Sequence, residues 1–359
     1  MQKIGVLTYH RADNFGAVMQ AFSLVQYLKE CDYEVEIIDY RCKAIERNYE
    51  IFNPGILLSR KNIILSIKEY LARFRNIQDR IVKKRKFEIF RKKYLPMSKP
   101  IFAIHSPLDY DVIITGSDQV WNFYLNKGSE SIYLLDFPCN THTQRVSYAA
   151  SSERNGLRNI SRNRLKSTLD KFYRISVREN SLYEELKFYT EKKIEKCVDP
   201  TFLLKKEHLW RIAKRPNMEK FILVFHMTPM DELMPMISRI AGEKNAEIIE
   251  VYGGFQVKSD SRHLSNWGPQ ELLGLICYAE SVFTTSYHGL ALSIIMEKDV
   301  WVLNKGDNTR QVNLLQQAGM VNRLLRDATD YKDSEIDYTA VSGKISPLIN
   351  QSKRFLMFE

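Results

Sequence analysis

Short apolar runs alternate with stretches of helical periodicity along the first half of the chain. The run KIGVLTY at 3–9 is continuous, which is typical of a strand buried in a parallel sheet. Apolar residues at helical spacing follow it, and EVEIIDY at 34–40 predicts the next strand. Further strands are predicted at 111–116, 145–151, 174–179 and 192–198. This order of strands and helices predicts a doubly wound α/β domain.

The same alternation restarts after a charged connector at 205–220. Strands are predicted there at 220–227, 246–254, 281–286 and 300–304, with helical patterns between them. A chain of 359 residues is long enough for two cores. We therefore expect Rossmann-like domains at 1–204 and 205–335, and a helix at 336–359 that could pack back on the first domain. Since such domains bind ligands at the carboxyl ends of their strands, loops of both are expected to line one interdomain cleft.

One stretch of the chain carries its excess positive charge. Residues 60–93 contain 13 Lys or Arg against three acids, which accounts for the whole net charge of +10. Ile, Leu and Phe alternate with these cations, so we expect a basic helical insertion at about 56–96. Such a helix suits an anionic membrane surface, although a solvated helix face is the alternative.

The composition of the chain excludes several classes of protein and of bound group. Five cysteines are scattered with no CxxC pair, which favours free thiols in the cytoplasm over disulfides or a zinc site. No apolar run approaches the length of a transmembrane helix. We find no metal-ligand spacing and no GxSxG hydrolase motif, and no nucleic-acid motif accompanies the basic stretch. We therefore expect no metal, no cofactor and no nucleic-acid partner.

The turn SYHG at 286–289 joins a predicted strand to an apolar helix. The free N–H groups and the dipole of a helix start attract an anion. His288 could act there as a general acid or base, and Gly289 would let a ligand or a neighbouring backbone approach closely. The alternative is an ordinary turn histidine that follows a capping Ser286.

Two further loops suit an anion. Asn14 and Gly16 precede the first helix in HRADNFGA, although this is neither GxGxxG nor a Walker A loop, and Asn14 could simply cap the helix. Arg178 ends the predicted strand in SVRE. Its planar fork suits a carboxylate or phosphate, and a salt bridge to Glu179 or another acid is the alternative.

The loop GSDQVWN at 116–122 suits a sugar. Trp121 could stack on a sugar ring, while Asp118 and Asn122 could hydrogen-bond its hydroxyls. The alternative places Trp121 in the core and uses Asp118 as a helix cap.

These motifs together resemble the polysaccharide pyruvyl transferase family, in particular members from bacterial capsule and exopolysaccharide clusters. The resemblance runs from Lys3 to about Leu325 and rests on segments in one order: KIGVLTYHRADNFGAVMQAFSL, ITGSDQVWN, YLLDF, SYAAS, SVRE, VDPTFLL, TTSYHG and NTRQVNLLQQAG. It implies a two-domain fold similar to glycosyltransferase-B enzymes. It also implies transfer of a pyruvyl group from phosphoenolpyruvate, as donor substrate, to a sugar diol as a cyclic ketal.

The resemblance also implies roles for residues. His288 matches the family's HG histidine and is the expected catalytic group. Some members carry an arginine where this chain has Ser286, so Arg310 or the start of the first helix could supply that contact. The expected donor-binding residues are Arg178, Ser286, Gly289, Arg310, Asn14 and Gly16. The expected acceptor-binding residues are His10, Asp118, Trp121 and Asn122.

The expected acceptor is a lipid-diphosphate-linked sugar held at a membrane. We therefore expect a cytoplasmic protein that is peripheral at the inner face of the cytoplasmic membrane. The cations expected to bind the anionic surface are Lys83, Lys84, Arg85 and Lys86. Two other functions stay open: a nucleotide-sugar glycosyltransferase of the same architecture and, less favoured, a nucleic-acid-binding protein.

Overall fold

The computed structural model describes residues 1–51, 77–153, 155–158, 160–253, 262–303 and 309–358. The chain divides into two units. The first contains Met1–Tyr49, Arg91–Leu204 and Ser346–Glu359, and the second contains Glu50–Phe90 and Lys205–Ile345. Residues 56–76 of the insertion predicted at about 56–96 lie outside the described ranges. The described part up to Phe90 groups with the second unit, whereas the sequence placed the insertion in the first. The chain from Ser346 onward groups with the first unit.

The first unit is built on a six-stranded parallel sheet. Its strands are β1 (Lys3–Leu7), β2 (Glu34–Ile37), β3 (Val112–Thr115), β4 (Gln144–Ala150), β5 (Arg174–Val177) and β6 (Ile194–Lys196). Their order across the sheet is β2-β1-β3-β4-β5-β6. All four residues of β3 are buried, as expected for a strand covered on both faces.

Helices connect these strands. Within the described residues, the helices before α7 are α1 (Phe15–Glu30), α2 (Lys43–Glu46), α3 (Ile77–Tyr94), α4 (Glu130–Tyr133), α5 (Arg162–Leu169) and α6 (Asn180–Leu186). Helix α1 is buried on nearly every side, which its run of Ala, Val, Leu and Phe predicts. Helix α3 ends before Pro96, as the sequence indicated.

The second unit repeats this design. Its strands are β7 (Phe221–His226), β8 (Glu247–Tyr252), β9 (Arg262–His263), β10 (Ser281–Thr284), β11 (Asp299–Leu303) and β12 (Leu324–Leu325), ordered β12-β11-β10-β7-β8-β9. The remaining helices are α7 (Lys206–Ile212), α8 (Met234–Lys244), α9 (Pro269–Tyr278), α10 (Tyr287–Ile295), α11 (Thr309–Ala318) and α12 (Tyr338–Phe355). The prediction of two doubly wound parallel domains is confirmed.

Five short elements were missed by the hydrophobic pattern: α2, α4, α7, β9 and β12. The charged connector contains α7, whose seven residues include only two buried apolar side chains, Leu209 and Ile212. Strands β9 and β12 have two residues each, which is too short for a periodic pattern to be recognised.

The packing of α9 against the preceding chain predicts a stability effect. A Cβ atom on Gly274 would lie 1.8 Å from the backbone oxygen of Lys214. We expect Gly274→Ala to lower the free energy of unfolding by about 1–3 kcal/mol, the usual cost of overpacking. The matched control is Gly242→Ala in α8, where a Cβ atom would meet nothing within 4 Å. That variant should be neutral or gain up to about 1 kcal/mol from helix propensity. Equal urea midpoints for both variants would contradict this packing.

Candidate functional site

Strand β1 leads into a buried charged cluster. His10 Nε2 lies 2.9 Å from Asp39 Oδ1, and its Nδ1 lies 3.0 Å from the carbonyl oxygen of Thr8. Arg11 donates from Nε to the same Asp39 oxygen at 2.7 Å. Since both partners accept, the tautomer of a neutral ring decides which of the two contacts is a hydrogen bond. The ring is only 1% exposed, so His10 orders this cluster and does not offer an open contact to an acceptor sugar.

The start of α1 is capped from within the protein. Asn14 Oδ1 accepts from the Ala17 N–H at 3.2 Å, which is the capping alternative left open by the sequence. Its neighbour Asp13 pairs with Arg91 at 2.8 Å, and both side chains are nearly buried. Gly16 is buried in the first turn of the helix. These contacts account for Asn14 without a ligand.

The loop after β3 separates its predicted residues into two groups. Trp121 is fully buried, donates from Nε1 to the Tyr133 carbonyl at 3.1 Å and meets Phe172 edge to face. The core alternative therefore holds for Trp121, and the ring cannot stack on a sugar in this structure. Asn122 is also buried and donates to Gln119 Oε1 at 2.7 Å. Asp118 is partly exposed. Of the three residues of this loop that were predicted to contact the acceptor, it is the one that solvent can reach.

Arg178, at the end of β5, lies in a buried ion-pair network. Its Nε donates to Glu179 Oε1 at 2.8 Å, one terminal nitrogen to Asp199 Oδ2 at 2.5 Å and the other to Ser151 Oγ at 2.9 Å. The side chain is 3% exposed. The salt-bridge alternative therefore describes Arg178, and its geometry favours that role over direct binding of a donor anion. The guanidinium instead keeps two buried carboxylates compensated.

In the second unit, β10 runs directly into α10. Ser286 caps that helix, since its Oγ accepts from the Gly289 N–H at 3.2 Å. His288 lies in the first turn of the helix with its ring 5.1 Å from that of Tyr287. A Cβ on Gly289 would lie 2.5 Å from Thr284 Oγ1. Gly289 therefore allows α10 to pack closely on a side chain of β10, whereas the sequence predicted that it would admit a ligand or a neighbouring backbone.

Contacts through Thr285 bring two other elements to this turn. Its Oγ1 accepts from the Met227 N–H at 2.8 Å, which holds the end of β7. Gln311 Nε2 donates to the Thr285 carbonyl at 2.9 Å, which holds the first turn of α11. Arg310, the proposed substitute for the missing family arginine, precedes Gln311 in that turn. The helix start at α10 is thus the point where the ends of β7, β10 and α11 meet.

A histidine–carboxylate pair beside this turn was not predicted. His226 Nε2 lies 2.9 Å from Glu250 Oε1, and Nδ1 lies 3.2 Å from the Thr228 carbonyl oxygen. Both side chains are buried. The two residues lie 24 positions apart, but strands β7 and β8 are aligned so that Val224 pairs with Glu250. An acid in a strand next to one that ends in histidine is the signal that could have identified the pair.

Over the ranges that the structure describes, no group of three or more His, Cys, Asp or Glu side chains is placed to hold a metal ion. Among the helices of those ranges, none is both long and apolar enough to cross a bilayer.

Solved structures of UDP-GlcNAc 2-epimerases and of a forosaminyltransferase are similar to this chain at low identity. UDP-GlcNAc 2-epimerase from Methanocaldococcus jannaschii is 13% identical with a TM-score of 0.45, covering 97% of this chain and 92% of that one. The Neisseria meningitidis epimerase is 8% identical with a TM-score of 0.46, covering 100% and 95%. Spinosyn forosaminyltransferase is 12% identical with a TM-score of 0.39, covering 99% and 92%. With TM-scores this low, we base no functional inference on them.

The two parallel sheets, with polar loops at their carboxyl ends, define an α/β protein of the doubly wound class. The sequence profile of the polysaccharide pyruvyl transferase family matches residues 14–305. The chain therefore belongs to the polysaccharide pyruvyl transferase family, as its ordered motifs predicted. No curated protein matched the sequence.

The cluster at Asp39 predicts a pH dependence of stability. Burial opposes ionisation of this carboxyl, but hydrogen bonds from His10 and Arg11 outweigh it and hold the pKa of Asp39 well below its ordinary value. A lowered pKa in the folded state contributes stability above the unfolded-state pKa and loses it as the pH falls. We expect Asp39→Asn to cost about 3 kcal/mol at pH 7. The difference from the parent should shrink below about pH 4 in urea unfolding series. A constant difference would contradict the assignment.

Proposed function

We propose that this chain transfers the pyruvyl group of phosphoenolpyruvate to two hydroxyls of one sugar in a lipid-linked polysaccharide precursor. The product would be a cyclic ketal and inorganic phosphate. The observation that carries the proposal is the position of His288, in the first turn of a capped helix at the carboxyl end of β10, in a chain of this family. A helix start and a titratable ring are what the donor requires: a site for anionic charge and a group that delivers a proton.

The reaction balances without a metal or a redox partner. A proton adds to the methylene carbon of phosphoenolpyruvate, and positive charge develops on the neighbouring carbon. One sugar hydroxyl attacks that carbon and loses its proton. The bond between that carbon and the phosphate oxygen then breaks, and phosphate leaves. The second hydroxyl bonds to the same carbon and closes the ring, and its proton passes to the released phosphate. Proton delivery is the role we assign to His288, and the N–H groups at the start of α10 would stabilise the anionic groups of the donor.

The donor carries more negative charge than one helix start neutralises. We propose Arg310 as the additional cation, because Gln311 holds the first turn of α11 against the carbonyl of Thr285 beside Ser286. This would replace the arginine that some family members carry at the position of Ser286. We assign Arg178 a positioning role, since its guanidinium is already occupied by Glu179 and Asp199.

The buried pair His226–Glu250 supports the same turn. It fixes the end of β7, and Met227 in turn donates to Thr285, the residue before the Ser286 cap. We propose that the pair positions the α10 helix start without touching the donor. For the acceptor we retain Asp118, whose carboxylate is partly exposed and suits a sugar hydroxyl.

Mass spectrometry of the acceptor tests the reaction class. The protein is incubated with phosphoenolpyruvate and a sugar glycoside that offers a diol. The proposal predicts a product heavier than the acceptor by pyruvate minus water. An unchanged acceptor, together with transfer of a sugar from a nucleotide-sugar donor, would overturn it in favour of a glycosyltransferase.

Substitution of His288 tests its role in proton transfer. We expect His288→Ala to lower kcat on the order of 10²-fold or more, the usual loss for a general acid or base, with an unchanged far-UV spectrum. The matched control is His105→Ala, because His105 is an exposed histidine that is not among the residues proposed to bind donor or acceptor. Turnover close to the parent value in His288→Ala would remove His288 from the mechanism.

A further inference from the structure

Within the second unit, one face of the basic helix α3 packs against the chain at 266–271. Phe87 is fully buried and its ring lies 5.9 Å from that of Trp267. Lys83 Nζ lies 3.6 Å from the centroid of the same Trp267 ring. Lys86 donates to the Asn266 carbonyl at 2.7 Å and lies 3.2 Å from Glu271. Two of the four cations predicted to bind a membrane, Lys83 and Lys86, are therefore engaged within the protein.

The opposite face of α3 is exposed and apolar at its centre. Ile81 is 48% exposed, Val82 40% and Ile89 50%, although each is a large aliphatic side chain. At 100° per residue, Arg85 and Lys92 project from the same side of the helix. Both cations are exposed, and neither has a hydrogen bond or ion pair among the residues that the structure describes. We call these five residues the outer face of α3.

We infer that the outer face of α3 binds the surface of an anionic lipid bilayer. Aliphatic side chains between long cationic ones are the pattern of a helix that lies in a membrane interface, where cations meet phosphates and aliphatic groups enter the acyl boundary. Charge complementarity favours an anionic bilayer over a second copy of this chain as the partner of the outer face. The stretch that contains the helix carries the whole excess positive charge of the chain, so a second copy of this face would be repelled.

The inference rests on the proposed function in one respect: a lipid-linked acceptor is held at such a surface. It assigns the contact to Arg85, Lys92 and the three aliphatic residues, in place of Lys83 and Lys86. Each cation near an anionic surface should strengthen binding roughly fivefold. The aliphatic residues should add to this without any dependence on charge.

Vesicle sedimentation of the full chain tests the surface without donor or acceptor present. We expect binding to vesicles of phosphatidylcholine with phosphatidylglycerol and none to phosphatidylcholine alone. Arg85→Gln with Lys92→Gln should weaken binding at least about tenfold. Val82→Ser with Ile89→Ser should weaken it with no change in charge. The matched control is Lys99→Gln with Lys332→Gln, which removes the same charge at exposed sites elsewhere and should leave binding nearly unchanged.

Three outcomes would overturn the inference. If the control variant lost as much binding as Arg85→Gln with Lys92→Gln, the vesicles would be responding to net charge alone. If neither outer-face variant lost binding, the contact with the bilayer would lie elsewhere on the protein. Loss of a dimer by Val82→Ser with Ile89→Ser in analytical ultracentrifugation would assign the face to a second copy. Turnover of a short soluble acceptor should be the same in the outer-face variants as in the parent. That readout separates failure of membrane binding from failure of the proposed transfer.

Discussion

Parallel strands gather charged side chains at one edge of a sheet, where burial requires each charge to have a partner, and both candidate sites depend on this constraint. In the first unit it produces the pairs His10–Asp39 and Arg178–Asp199. In the second it produces His226–Glu250. A buried charge that loses its partner costs several kcal/mol, so these pairs fix the loops that carry the remaining polar groups.

The residues at the carboxyl edge of the second sheet have separate roles under this constraint. Ser286 satisfies an N–H group of the first turn of α10, and that turn carries the titratable side chains of Tyr287 and His288. Thr285 links the turn to β7 through Met227 and to α11 through Gln311. These contacts fix the turn that carries His288, and a fixed turn is the kind of positioning that general acid catalysis needs.

The periodicity of the sequence predicts most of the architecture, because a continuous apolar strand and an amphipathic helix differ in pattern. It does not predict which way a single side chain points. Trp121 follows a strand in a polar loop, yet its ring faces the core and only the register of the loop decides this. For Arg178 the sequence shows the neighbouring Glu179, but Asp199 lies 21 residues away and reaches the guanidinium only in the fold. Similarly, Lys83 and Lys86 are not distinguishable from Arg85 until Trp267 and Glu271 are placed against the helix.

The most direct measurement of the proposed chemistry is phosphorus NMR of the parent protein with phosphoenolpyruvate and a sugar acceptor that offers a diol. Transfer of the pyruvyl group predicts that inorganic phosphate appears in step with consumption of the acceptor, and only when the acceptor is present. A phosphoenolpyruvate signal that stays constant with the acceptor present, while the same protein releases nucleotide from a nucleotide sugar, would contradict it.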